Sequence, residues 1–269
     1  MIRISCTSTM VPGKNLTEQA ETLRLWGFDG ITVFADYETW TEEAEAELLS
    51  LEERTGVRPC EFVFSGPEYG HLMEKDTKLQ EETNRMYCRA AEICAKIGAI
   101  TELEYTYGPV DPLPLFEPYQ KMNETEERLF LHRYRELADV VRGSEGFVLL
   151  ENINRYESPY LNSVEHCAEI VEKLQHPNAG ILGDLFHMSI EERSIPETIR
   201  QYGHLFRHVH LGDNNRLLPG SGSIDWNACF CALKEVGYDR FVNLECGFGG
   251  RIENIAEAAS FLRELIVYA

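Results

Sequence analysis

The chain has 269 residues, 43% of them hydrophobic, with 25 basic against 45 acidic side chains and a formal charge of −20. That length and apolar content suffice for a large buried core in one domain over residues 1–269. The charge counts against a nucleic-acid partner, which is held mainly by Lys and Arg on phosphates, and against an anionic membrane surface; otherwise it serves solubility.

The first residues, MIRISCTSTM, lack the long apolar stretch of a secretory leader, and no run is long enough to cross a bilayer. A cytoplasmic protein is expected. Cys6, Cys60, Cys88, Cys94, Cys167, Cys229, Cys231 and Cys246 form no C-x-x-C pair and read as small buried hydrophobes in a reducing compartment. Cys229 and Cys231, two apart on a predicted helix, do not share a face and make a poor metal pair.

Short apolar or alternating runs predict strands at 3–8, 30–35, 59–64, 100–106, 147–152, 180–186, 208–213 and 241–246. Amphipathic stretches between them predict helices, most clearly at 16–27, 81–98, 163–175 and 254–266. Gly27, Gly98 and Gly237 fall just past such runs, where a helix-terminating glycine is expected. Eight strand–helix units point to a parallel sheet with crossover helices and to an α/β fold, a single (β/α)8 TIM barrel. A doubly wound sheet, the alternative, would usually carry G-x-G-x-x-G after its first strand, and RISCTS is followed by nothing of the kind. The proline-rich YGPVDPLPLFEP (107–118) reads either as a lid over the barrel mouth or as a stiff surface loop.

Barrel active sites are built at the C-terminal ends of strands. In the second half those ends supply Glu151, Asp184, His210 and Glu245, from LLEN, LGD, VHL and NLE. Three carboxylates converging on one mouth raise one another's pKa unless a cation lies among them. Three oxygen donors and one imidazole favour Mn²⁺, Mg²⁺ or Co²⁺ over thiolate-rich zinc sites. The alternative is an acidic hydrogen-bonded rim without metal. His208 and His210 share one face of their strand, which suits either satisfied core histidines or a ligand at the rim. Glu61, Glu102 and Glu104 lie on first-half strands; surface positions are expected, with entry of any one into the mouth as the alternative.

Four segments, ENINRYE (151–157), GDLFHM (183–188), HVHLGDNNRLLPGSGSIDW (208–226) and NLE (243–245), resemble the xylose isomerase-like TIM-barrel superfamily. Within it they are most similar to the D-tagatose/D-psicose (allulose) 3-epimerase group. The resemblance extends along the chain by architecture but is specific only from about residue 147 onward. It implies that Glu151, Asp184, His210 and Glu245 bind one divalent cation, Mn²⁺ first. It also implies that Glu151 and Glu245 are the acid/base pair, and that Glu157, His187 and Arg216 touch a small sugar. Assembly as a homodimer or homotetramer is compatible with it. FSGPEYG (64–70) and YTYG (105–108) occupy the right loops without a clear match.

The resemblance makes His210 the ligand and His208 a supporting or core histidine. It places Arg216 on a loop that PGSG renders flexible, where backbone amides could alternatively cradle a phosphate; an unphosphorylated sugar is preferred. Trp226 is read as packing. The implied reaction is a ketose 3-epimerisation through a cis-enediolate, with one carboxylate removing the C3 proton and another returning it on the opposite face. The alternatives are a related sugar or inosose isomerase or dehydratase, a hydroxypyruvate isomerase, an endonuclease IV-like DNA repair barrel, and a non-catalytic sugar-binding barrel. The −20 charge and the scarcity of first-half histidines count against DNA repair.

Overall fold

Eight parallel strands close on one another in chain order, β1 (Arg3–Thr7), β2 (Gly30–Asp36), β3 (Arg58–Ser65), β4 (Ile100–Leu103), β5 (Phe147–Glu151), β6 (Ala179–Asp184), β7 (Phe206–Leu211) and β8 (Phe241–Leu244). The computed structural model describes residues 1–116 and 120–269. Around the barrel lie α1 (Leu16–Leu25), α2 (Glu42–Thr55), α3 (Thr77–Ile97), α4 (Glu124–Val140) and α5 (Val164–Leu174). They are followed by α6 (Leu185–Glu191), α7 (Ile195–Tyr202), α8 (Trp226–Glu235) and α9 (Glu253–Tyr268). Each predicted strand overlaps an observed one, and closure excludes the doubly wound alternative. Gly27, Gly98 and Gly237 all take positive φ past their helices.

The apolar core lies mainly between the strands and their helices. Phe62 and Phe64 of β3 meet Trp40 with ring centroids 5.1 and 5.9 Å apart, and burying side chains of this size contributes ~1.5–3 kcal/mol each. Inside the barrel a small apolar layer, Ile100, Leu149 and Leu182 with Phe147 against it, stands apart from that core. Two residues further along β4, β5 and β6, the same faces carry Glu102, Glu151 and Asp184. The barrel axis is therefore polar above a thin apolar plug.

Two bulges set the phase of this interior. Between β2 and β3 the pairing passes from Ile31 opposite Pro59 to Thr32 opposite Glu61, skipping Cys60. Between β6 and β7 it passes from Ile181 opposite Phe206 to Leu182 opposite His208, skipping Arg207. An extra residue in a ladder re-aims the side chains beyond it. Here Glu61, His208 and His210 are brought to one cluster across the barrel.

Of the eight cysteines, all free, Cys6, Cys60, Cys94, Cys167 and Cys229 are buried, while Cys88, Cys231 and Cys246 are half-buried, short of the expected burial. Among the described residues no helix is long and apolar enough to cross a membrane. The proline-rich segment begins by binding the loop after β5: Gly108 N–H donates to Glu157 O and Val110 N–H to Tyr156 O, both at 2.9 Å. Its residues 117 and 118 lie outside the described residues.

Candidate active site

The C-terminal ends of β5 to β8 bring Glu151, Asp184, His210 and Glu245 together, with one potential ligand atom from each within 4.8 Å of the others. Ladder register begins the convergence, since Asp184 and His210 are direct neighbours on β6 and β7. His210 Nδ1 lies 3.2 Å from Glu245 Oε2, 3.5 Å from Glu151 Oε1 and 4.0 Å from Asp184 Oδ2. Asp184 divides its work: Oδ1 accepts the His187 N–H at 3.0 Å as the N-cap of α6, while Oδ2 faces the cluster.

On the other side of the imidazole, His210 Nε2 is 2.9 Å from Glu61 Oε2, which also accepts from Thr32 Oγ1 at 2.9 Å. His208 Nε2 approaches the same oxygen at 3.3 Å. A carboxylate can only accept, so Glu61 assigns the His210 proton to Nε2 in the neutral ring and leaves a lone pair on Nδ1. That buried nitrogen has no hydrogen-bond partner among the described residues. A buried lone pair facing three carboxylate oxygens is what a divalent cation completes, so the donor set fits one.

The chain's own field separates the two candidate bases. Burial, with Asp184 and Glu245 adding to it, pushes the Glu151 carboxyl well above the usual range against the lowering effect of His210. Burial also acts upward on Glu245, but His210 and Arg216 outweigh it and hold that carboxyl low. Burial depresses His210, yet Glu61 and Glu245 raise its proton affinity well above ordinary, so in the bare chain this ring binds a proton where a cation would sit.

The three expected substrate residues border this cluster. Asn154 N–H donates to His187 Nδ1 at 3.2 Å, and Asn154 Nδ2 donates to Glu157 Oε1 at 2.8 Å. The neutral His187 proton therefore sits on Nε2, and burial lowers this ring's pKa. His187 Nε2 lies 3.2 Å from Arg216 Nη1, so two donors point at one place and require an acceptor oxygen between or beside them. Arg216 stacks over Phe186 at 4.4 Å and approaches Glu245 Oε2 at 3.6 Å. A cavity of about 290 Å³ opens between Arg216, Glu245, Thr7, Met10 and Phe34.

The glycine-rich loop is built around Asp213, which is fully buried. Its carboxylate accepts from Gly220 N–H and Asn214 N–H at 2.9 Å, Trp226 Nε1 at 3.0 Å and Ile224 N–H at 3.2 Å. Asn214 Oδ1 takes the Ser223 N–H at 2.8 Å. The amides that could have cradled a phosphate are thus occupied within the loop, which corrects that alternative. Trp226 packs as expected and adds a hydrogen bond. Arg216 itself is held at φ +56°, a left-handed conformation unusual for arginine.

The first-half glutamates correct the surface reading. Glu61, Glu102 and Glu104 are 0%, 2% and 1% exposed. Tyr69 Oη lies 2.5 Å from both Glu102 Oε1 and Glu104 Oε1, and Tyr87 Oη donates to Glu104 Oε2 at 2.6 Å. A phenol has one proton to give, so the second short contact at Tyr69 needs a proton on a carboxyl. Glu102 is the better holder: burial first, then Glu151 and Glu104, push its pKa far up. The signal lay in ITELE, whose Ile100, Glu102 and Glu104 share one face. The two unmatched loops also meet, with Tyr107 N–H donating to Gly70 O at 2.9 Å.

A family model described as the xylose isomerase-like TIM barrel matches residues 20–265. A probable ketose 3-epimerase of Synechocystis sp. is 29% identical over 238 residues, which cover 88% of this chain and 80% of that protein. A ketose 3-epimerase of Arthrobacter globiformis is 40% identical over 168 residues, 62% of this chain and 56% of that protein. The chain matches about half the length of the Arthrobacter protein and of two D-psicose 3-epimerases. In structure, a 3-keto-D-glucoside 4-epimerase from E. coli superposes with a TM-score of 0.85 at 21% identity, covering 98% of this chain and 99% of that one.

Proposed function

Because the chain belongs to the xylose isomerase-like TIM barrel family, we propose that it is a divalent-metal-dependent ketose 3-epimerase, an isomerase acting on a small sugar. The observation that carries the reading is the pair Glu151 and Glu245, both within 3.5 Å of the same His210 nitrogen and shifted in opposite directions. In the metal-free chain the two carboxyls thus sit in unequal surroundings at one centre, which suits separate roles as acid and base. The similarity to ketose 3-epimerases supports the substrate class.

In this reading Glu151, Asp184, His210 and Glu245 hold one cation, with Mn²⁺ preferred and Mg²⁺ or Co²⁺ as alternatives. The bound ion supplies Lewis acidity to the ketose carbonyl. Glu245, beside the Arg216 guanidinium, accepts the C3 proton from one face of the sugar. Glu151, in its acid form for this direction, returns a proton to the other face of the resulting cis-enediolate, and the roles reverse in the opposite direction. His187 Nε2–H and Arg216 donate to sugar oxygens, and Glu157, held by Asn154, accepts from a hydroxyl. Glu61 fixes the ring of His210 and touches no substrate.

The runner-up is an isomerase or dehydratase on the same scaffold. The test is metal-reconstituted protein incubated with fructose, tagatose, sorbose, ribulose, an inosose and a 3-keto-glucoside, with products resolved by chromatography. Interconversion of C3 epimers of a ketose supports the proposal. Aldose formation, loss of water, or C4 inversion of the keto-glycoside alone replaces it.

A further inference from the structure

A second cavity lies at the opposite end of the barrel from the candidate active site. About 490 Å³ in volume, it opens at the N-terminal ends of β1, β3, β4, β5, β7 and β8. Four arginines line it, Arg3, Arg58, Arg207 and Arg240, against two acids, Glu145 and Asp239, so two positive charges stand in excess. On a chain whose net charge is −20, such a concentration of guanidinium is a local inversion of sign.

The partners of these arginines are unequal. Arg58 reaches Gly98 O at 3.3 Å and Glu145 Oε2 at 3.5 Å, and the Glu145 side chain is 84% exposed. Arg207 Nη1 donates to the backbone carbonyls of His204 and Phe206 at 2.9 and 3.0 Å. Arg3 and Arg240, both half-buried, have no side-chain hydrogen bond or ion pair among the described residues. They meet aromatic rings instead: Arg3 lies 4.1 Å from the centroid of Phe241, and Arg240 lies 4.9 Å from that of Phe147. Arg207 approaches the same Phe147 ring at 5.9 Å. Stacking uses the flat face of a guanidinium and leaves its N–H edge unspent. Burial, and then the like charge of Arg240, lower the proton affinity of Arg207, a cost that an anion in the cavity relieves.

We propose that this N-terminal cavity is a binding site for a small organic phosphate, with the phosphate held by Arg3 and Arg240 and the organic body against Phe147, Phe241 and Ile100. Arginine forks match the geometry of phosphate oxygens. The cavity is also roomier than an inorganic ion needs, and its walls are partly apolar. The assignment is independent of the metal centre, and the glycine-rich loop by Arg216 offers no competing amide cradle.

Phenyl phosphate, which joins one phosphate to one ring, is the probe. Calorimetric titration of the metal-loaded protein is expected to show binding that weakens as salt rises and that exceeds the affinity for orthophosphate. The double variant Arg3→Gln/Arg240→Gln should bind ~10–100-fold more weakly, with turnover of the sugar substrate unchanged. Arg3→Lys/Arg240→Lys keeps the charges and stems while losing the fork, so it should fall between, and it carries the test if the glutamine variant fails to fold. Arg216→Gln should leave the affinity as it is. The proposal is overturned if the wild type does not bind at millimolar concentration, if both double variants bind as well as it does, or if Arg216→Gln abolishes binding and so places the phosphate in the other mouth. Equal affinity for orthophosphate and phenyl phosphate overturns the assignment of an organic ligand.

Discussion

The two halves of the barrel both bury glutamates near its axis, yet they use them differently. In the first half Glu61, Glu102 and Glu104 each have at least one oxygen engaged by protein donors, His210 and Thr32 at Glu61 Oε2 and two phenols at the others, while Glu61 Oε1 and Glu102 Oε2 have no hydrogen-bond partner among the described residues. In the second half Glu151, Asp184 and Glu245 surround the unpartnered Nδ1 of His210. All are acids, and all but the half-buried Glu245 are fully buried. What differs is whether the chain itself supplies the counter-donors, and that difference marks which carboxylates are left for a cation.

The largest test of this contrast is chemical. Glu151→Gln and Glu245→Gln should each cost at least ~10²-fold in kcat, the range for removing a general base, measured with metal content confirmed. Each variant should still exchange solvent deuterium at C3 of one epimer while failing to interconvert the two. Near wild-type epimerisation by both, with metal bound, would remove these glutamates from the reaction.

A smaller effect is expected across the divide. Glu61→Leu removes the acceptor that fixes the His210 proton, so Mn²⁺ affinity should drop ~10–100-fold, with kcat at saturating metal changed much less. Titration followed by the Mn²⁺ paramagnetic resonance signal separates the two. An unchanged affinity would make Glu61 a packing residue only.

Proton displacement gives the next test. Glu61 and Glu245 keep His210 protonated well above the ordinary histidine range, and a ligating nitrogen must shed that proton. Below the raised pKa, His210 alone makes apparent metal affinity rise ~10-fold per pH unit and releases about one proton per ion bound, and a proton displaced from Glu151 adds to both. Titration calorimetry in buffers of different ionisation enthalpy counts the protons. A pH-independent affinity would mean that His210 is already neutral.

The smallest effect belongs to Glu102. The unfolded chain releases this proton at the ordinary carboxylate value, ~4.3, while the fold retains it to higher pH. Between those values the unfolded state binds fewer protons, so the metal-free protein loses stability as pH rises. Glu102→Gln should flatten that slope and raise Tm at neutral pH, by ~2–4 °C for each kcal/mol recovered. An identical pH slope in wild type and variant would show that Glu102 ionises normally.

The strand–helix rhythm and the ends of β5 to β8 were legible because apolar runs there stop at Glu151, Asp184 and His210, and at Glu245 one residue past β8. Glu61, Glu102 and Glu104 were misread for a definite reason. On a half-exposed strand the polar face meets water, but here helices cover the outside and claim Phe62, Phe64 and their like, so the polar face is the interior. The role of Asp213 is not legible in the sequence, because it satisfies amides that are distant along the chain, up to Ile224. No local periodicity encodes that.

The bulges at Cys60 and Arg207 make the two mouths of one sheet separately adjustable. Each is skipped by the ladder, so neither counts in the alternation that aims Glu61 and His210, and both line the N-terminal cavity instead. Substitutions at these positions can remodel the lower opening while the upper constellation keeps its aim. A strand without such a spare residue would bind the two ends together, since any change of phase at one would be transmitted along the barrel to the other.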